Sequence, residues 1–375
     1  MKKSAIVVTT IFEPEFLGGY VANLEAHGRS RDVDIIVIVD RRTPRSMEEA
    51  CRQHRAQGYS VLCPSLDEQE RFVSRLPDMA GRIPYDSDNR RNVGFLMALE
   101  RGADVLISID DDNHCLPGTD FVGEHAIAGE TRTVTEVTSS DGWFNAATML
   151  REDGAREIYP RGFPYAARHG PREVTRSEPV PRRIAINAGL SIGDPDVDAV
   201  TRLATRPRVS AADGQALVLG PGAWSPVNTQ NTAVARDAVA AYYYVRMGHS
   251  LGGMTIDRYG DILSGYFVQK CAKTLGQAVR IGGPVTDHRR TPHNLFKDLY
   301  HELAGMVIVE ELLPWLMETR LAGSSYADAY LSLAEQLEAR AAGCRGFVWD
   351  QGAREFLAST AASMRAWVGA VRAIG

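Results

Sequence analysis

Three consecutive carboxylates, Asp110, Asp111 and Asp112, follow the apolar run Val105 to Ile109 (VLISI) directly. Side chains of that kind at a strand end repel one another unless a cation compensates them. Hard divalent ions such as Mg²⁺ or Mn²⁺ prefer carboxylate and water ligands. Alternate residues of an extended chain face the same side, so Asp110 and Asp112 are the candidate metal ligands. A metal there can bridge diphosphate oxygens and neutralise charge on a departing nucleoside diphosphate. Asp111 between them is assigned to the same nucleotide-sugar site. A solvated acidic turn is the bland alternative. Asp40, which closes a second apolar run, can accept hydrogen bonds from a nucleobase, and reads equally well as a turn residue. Arg90 and Arg91 can grip phosphates through their planar forks, or form a solvated surface pair.

These residues need elements to carry them. Ser4 to Thr10 (SAIVVTT), Val33 to Val39 (VDIIVIV) and Val105 to Ile109 read as buried strands, with Tyr59 to Cys63 a shorter one. Helical spacing runs over 16–27, 47–57 and 92–101, each stopped by glycine at Gly28, Gly58 and Gly102. Strands alternating with helices predict an α/β fold, a mostly parallel sheet flanked by helices. Ligands of such sheets bind beyond the carboxyl ends of the strands. Thr9, Asp40 and the Asp110 cluster all fall at such ends, and Thr9 joins the nucleoside-binding set. The stretch 131–226 is rich in Gly, Pro and Arg and predicts short mixed strands and loops. From Leu295 on the pattern turns helical, with helices predicted over 295–319, 325–342 and 350–372. The division this suggests is a catalytic unit over 1–294 and a helical region over 295–375.

Composition narrows the class. A net charge of -5 gives no electrostatic case for nucleic acid. The five cysteines are scattered, without a C-x-x-C pair, which argues against a disulfide framework and a structural zinc site. The apolar run after Met1-Lys2-Lys3 is too short for a secretion signal, and no segment approaches a membrane span. The expectation is a cytoplasmic protein, with the oligomeric state, a homo-oligomer included, left open. A Rossmann dehydrogenase fits poorly, since no G-x-G-x-x-G follows the first strand. A phosphotransferase using an aspartyl nucleophile fits less well than a metal site, since the first strand ends in Thr9-Thr10.

The strand-DDD arrangement resembles GT-A-type glycosyltransferases. Several blocks resemble the reversibly glycosylated polypeptides, the plant UDP-arabinopyranose mutases, more closely. They are Ile109 to Asp112 (IDDD), Arg161 to Arg168 (RGFPYAAR), Asp194 to Asp198 (DPDVD), Arg258 to Asp261 (RYGD), Thr286 to His288 (TDH) and Glu310 to Trp315 (EELLPW). They keep that order over roughly residues 5 to 316. The resemblance implies a GT-A-like (Rossmann-like) sheet with a helical C-terminal extension, a UDP-type sugar nucleotide, and Mn²⁺ or Mg²⁺. It implies that His288, otherwise a surface-loop histidine, is a third metal ligand. It implies that Asp261 is a catalytic or acceptor-binding acid. It places Arg168 where the plant family is thought to carry the sugar; a clamp on phosphate or hydroxyl is the alternative, since arginine stays protonated and is a poor nucleophile. The segment 200–222, the tail after Trp315, and Gly260 in place of an expected acid depart from the plant pattern. The expected function is therefore metal-dependent glycosyl transfer from a nucleoside-diphosphate sugar to a small acceptor. A pyranose/furanose mutase and a non-catalytic sugar-nucleotide-binding scaffold are the alternatives.

Overall fold

A computed structural model describes residues 2–375. The apolar runs form the strands expected of them: β1 (Ser4–Thr10), β2 (Val33–Val39), a short β3 (Val61–Leu62) and β4 (Val105–Asp110). All four are parallel, in the order β3-β2-β1-β4. Helices α1 (Leu17–Ala26), α2 (Arg45–Ala56), α3 (Leu66–Ser74) and α4 (Arg91–Glu100) link them. The sheet is apolar on both faces: Ile6 and Val8 pack into one core, Ala5 and Val7 into the other. A buried parallel sheet demands such unbroken apolar strands. Helix α4 lies unusually close to the sheet at Gly94, where an added Cβ would stand 2.4 Å from Val7 Cγ1.

Beyond β4 the sheet turns mixed. Strand Asn231–Ala235 runs antiparallel to β4, and the long strand Val180–Gly193 runs antiparallel to that. Strand Ala278–His288 then lies parallel to Val180–Gly193. The α/β, GT-A-like architecture expected from the sequence is the one observed. Two long strands in it were not expected, because glycine, proline and arginine interrupt their apolar pattern. Helix Gly260–Thr274 was also missed: it is buried on nearly every side, so its sequence shows no amphipathic stripe.

The C-terminal helices Leu295–Glu318, Tyr326–Gly343 and Arg354–Ile374 fall within a few residues of expectation. Tyr326–Gly343 packs on Gly260–Thr274, Arg354–Ile374 on α4, and Leu295–Glu318 on Ala199–Thr205 and Met254–Ile256, and all three extend the same apolar core. Trp367 is fully buried and donates its indole N–H to the Val239 carbonyl at 2.9 Å. No helix among the described residues is long and apolar enough to cross a membrane.

Candidate functional site

The strand directions bring six chain segments to one edge. β1, β2 and β4 end there, as do Val180–Gly193 and Ala278–His288, while the antiparallel strand Asn231–Ala235 begins there. The register sets Thr9 opposite Asp110, and sets His288 between Gly193 and Asn113. A cavity of about 930 Å³ opens over this edge, lined by Thr9, Asp40, Arg90, Arg91, Asp110 to Asp112, Asp261 and His288. Nine of the ten residues expected at a site are therefore brought together. The first turns of helix Leu295–Glu318 supply a further wall through Lys297, Asp298 and His301.

Arg90 and Arg91 are not a solvated surface pair, for each is only 3% exposed. They open α4, whose whole circumference is buried. Arg91 donates to Asp110 Oδ1 at 2.6 Å, Thr9 Oγ1 at 3.1 Å, Ser108 Oγ at 3.0 Å and both Thr229 oxygens at 2.9 Å. It thus holds the ends of β1 and β4 together as a fixed positive charge. Arg90 reaches Gln69 Oε1, stacks over Tyr85 at 4.2 Å, and brings Nε within 4.0 Å of Asp40 Oδ2. Its buried Nε lacks a hydrogen-bond partner. Asp40 caps its own turn through the Arg41 amide at 2.7 Å, so the turn reading holds beside any ligand role.

The three carboxyls are not equivalent. Burial, with repulsion from Asp112, raises Asp110 to about 6 in spite of Arg91. Burial and its two acidic neighbours raise Asp111 to about 7, against a hydrogen bond from Thr10. Asp112 is also pushed up by burial, yet His288 holds it below the usual carboxylate range. His288 Nε2 lies 3.2 Å from Asp112 Oδ2, and its Nδ1 lies 2.6 Å from the Asp194 carbonyl. That carbonyl can only accept, so Nδ1 carries a proton and Nε2 is the nitrogen turned to the cavity. The ring is 5% exposed and belongs to the sheet, not to a surface loop.

Among the described residues no three His, Cys, Asp or Glu side chains converge tightly enough to hold a metal unaided. Asp110 faces Arg91, while Asp112 and His288 face each other. The donor chemistry nonetheless fits a hard divalent ion: a carboxylate oxygen beside an imidazole nitrogen whose outer N–H is fixed by a backbone carbonyl. Such ions commonly complete their shell with substrate phosphate and water.

Asp261 sits in the first turn of helix Gly260–Thr274 and is gripped by Arg161, at 2.6 Å and 3.1 Å. Arg161 also grips Asp196, at 2.9 Å and 3.2 Å. Burial opposes the charge on Asp196, but Arg161 brings it down to about 2. Arg161 and Asp196 went unassigned at the sequence level, although both stand inside quoted blocks, RGFPYAAR and DPDVD. The signal was there, but their pairing across 35 positions was not legible. Arg168 is the residue the structure does not bring to the cavity wall. It donates to Asp198 Oδ2 at 2.6 Å and the Phe163 carbonyl at 3.2 Å, and stacks over Tyr165 at 3.8 Å.

The fold and the strand-edge cavity define a GT-A-like α/β protein. A family model of the reversibly glycosylated polypeptides matches residues 32–375, and the chain belongs to that family. It is 26% identical over 290 residues to the probable glycosyltransferase STELLO1 of Arabidopsis thaliana, covering 72% of this chain and 36% of that protein. It is 25% identical to STELLO2 of the same plant over 291 residues, with the same coverage of each chain. The chain thus spans about a third of the length of these curated relatives. Among solved structures, the Mycobacterium tuberculosis glucosyl-3-phosphoglycerate synthase in complex with Mn²⁺, UDP and phosphoglyceric acid matches at 12% identity. Its TM-score is 0.40, over 82% of this chain and 78% of that one.

Proposed function

We propose that this protein binds a nucleoside-diphosphate sugar, of UDP type, along the strand edge and transfers its glycosyl group to an acceptor. The observation that carries the reading is the Asp112–His288 pair and the Asp110–Arg91 pair lining one cavity. Family membership and similarity to proteins named as probable glycosyltransferases support it.

Thr9 and Asp40 hold the nucleoside, with Arg90 and Tyr85 closing its side of the cavity. A divalent ion, Mn²⁺ or Mg²⁺, between Asp112, His288 and the diphosphate would neutralise charge on the leaving nucleotide. Arg91 fixes Asp110 and supplies permanent positive charge at the same edge. Asp261 and Asp196, locked on Arg161, present carboxylate oxygens of settled direction to sugar or acceptor hydroxyls. Arg161 holds both oxygens of Asp261, so this carboxylate orients the hydroxyl. The bond from the anomeric carbon to the diphosphate oxygen breaks, its electron pair leaving with the nucleoside diphosphate, and the acceptor hydroxyl oxygen takes its place as its proton passes to the departing diphosphate.

Transfer to a separate acceptor is preferred to ring interconversion because Arg168, the family-matched carrier position, is tied to Asp198 away from the cavity wall. The test is thermal: UDP should raise the melting temperature with Mn²⁺ present, since ligands of the native state stabilise it. EDTA should abolish the shift, as should Asp112→Asn or His288→Ala. A UDP shift that survives EDTA undiminished defeats the metal assignment.

A further inference from the structure

Basic side chains line the cavity on both sides of the strand-end acids. The nucleoside side, at Asp40, lies five strands from the end formed by Ala278–His288. The strand-end acids lie between the two sides, with Asp112 3.2 Å from His288. Arg258, Arg290 and Lys297 all line the cavity there.

Asp298, Glu302 and Asp257 supply carboxylates around them, and one of these is shared. Asp298 is 5% exposed, and it alone takes Arg290 Nη2 at 2.7 Å and His293 Nδ1 at 3.1 Å, with Arg258 Nη1 at 3.6 Å. Glu302 receives Arg258 Nε at 3.1 Å but also serves the Ala199 amide at 2.7 Å. Arg202 brings a further guanidinium within range of Arg290. Its own partner Asp194, at 2.9 Å, is shared with Arg208 at 2.6 Å. Lys297, exposed in the first turn of helix Leu295–Glu318, makes no ion pair among the described residues. Asp298 is thus shared between two guanidiniums, and Lys297 is left without a carboxylate, so an arriving anion finds charge-assisted donors here.

The helix end itself does not hold the anion. Asn294 Oδ1 already takes the amides of Phe296 and Lys297, each at 3.1 Å, and its carbonyl takes that of Asp298. The free donors are side chains. Arginine forks and a mobile ammonium around a recess are the chemistry that binds phosphate.

We propose that this end of the cavity is the acceptor subsite and that the acceptor carries a phosphate-type anion, held by Arg258, Arg290 and Lys297. The word acceptor rests on the glycosyl-transfer reading above; the anion site does not. A donor stretched from Asp40 to Asp112 leaves this end free. An acceptor anchored here by its anion presents a hydroxyl toward Asp261, three residues from Arg258.

The experiment titrates inorganic phosphate into the full chain, saturated with UDP and Mg²⁺, by calorimetry. Phosphate should still bind. Lys297→Gln should weaken it at least fivefold, Lys297→Arg should restore it, and UDP affinity should stay within twofold throughout. Lys297 is exposed, so the substitution spares the fold; Arg290→Gln, checked for its melting temperature, gives an independent second reading. In the presence of UDP-sugar, glucose 6-phosphate should act as acceptor or competitor at concentrations where glucose does neither. Displacement of phosphate by UDP would assign these cations to the donor's diphosphate and overturn the proposal. Absence of phosphate binding, or indifference to Lys297→Gln, would overturn it too. Phosphate binding that responds to Lys297 in a protein that does not bind UDP would uphold the anion site and defeat the nucleotide reading alone.

Discussion

Arg168 separates two chemistries, and its surroundings allow the cost of changing it to be worked out. Its partner Asp198 is completely buried, and the arginine side chain is 7% exposed. Removing one member of a buried pair costs about 3–5 kcal/mol, since the survivor keeps its charge without compensation. Asp198 retains two donors, the Tyr165 hydroxyl at 2.9 Å and the Thr201 amide at 2.8 Å. Those hold the penalty for Arg168→Met to the lower end, about 3 kcal/mol. For 375 residues at ~2.1 cal/mol/K each, the unfolding entropy is ~0.8 kcal/mol/K, so the melting temperature should fall by about 4 °C. Arg168→Lys keeps the charge but loses the flat stack on Tyr165, worth about 1 kcal/mol or roughly 1 °C. Turnover per folded molecule should change less than about threefold in Arg168→Lys, since the residue does not line the cavity. Melting curves, initial rates on sugar nucleotide, and intact mass after incubation with donor and Mn²⁺ supply the readings. A variant that melts like the wild type yet loses ~100-fold or more in rate would refute the structural role. A glycosyl adduct on Arg168 would refute it outright and establish the mutase.

Three further outcomes follow from the packing. Arg91→Met strands Asp110 and four other acceptors, and should cost about 3–5 kcal/mol together with UDP binding, read by melting and titration. Gly94→Ala drives a Cβ to 2.4 Å from Val7 Cγ1 and 3.0 Å from Ile38 Cγ1, and should cost about 1–3 kcal/mol; unchanged stability would mean that α4 shifts freely. Burial depresses His125 from 6.5 to about 3, against its hydrogen bond to Asn231. The unfolded chain then binds the extra proton between those values, so stability falls as pH drops through that window, by at most about 5 kcal/mol. His125→Gln should flatten the acid limb of denaturant midpoint against pH, and an unchanged limb would refute the assignment.

What the sequence made legible was local. Val105 to Asp112 declares both a buried strand and the acids at its end, because burial on two faces needs an unbroken apolar run and the next polar residues must emerge at the edge. The same logic found Thr9 and Asp40. It failed for Val180–Gly193 and Ala278–His288, where arginines and glycines break the run; their pairing is fixed by neighbours far away in sequence. That failure left the surroundings of polar residues open. Arg90 and Arg91 could be read as phosphate grips or as a solvated pair because nothing nearby in sequence shows what compensates their burial. Their compensation comes from Gln69, Asp40, Asp110 and Thr229, on four different segments. His288 likewise gains its fixed tautomer from the Asp194 carbonyl, at the end of a strand the sequence did not show. A charged residue inside this molecule is therefore intelligible only with its partner, and each partner comes from another strand end. Asp298 is the instructive exception: its partners Arg290 and His293 are close in sequence, and Arg258 joins them from 40 positions away. Arg258 in turn reaches Glu302 at 3.1 Å, four residues beyond Asp298, so one helix face supplies both carboxylates that meet this arginine.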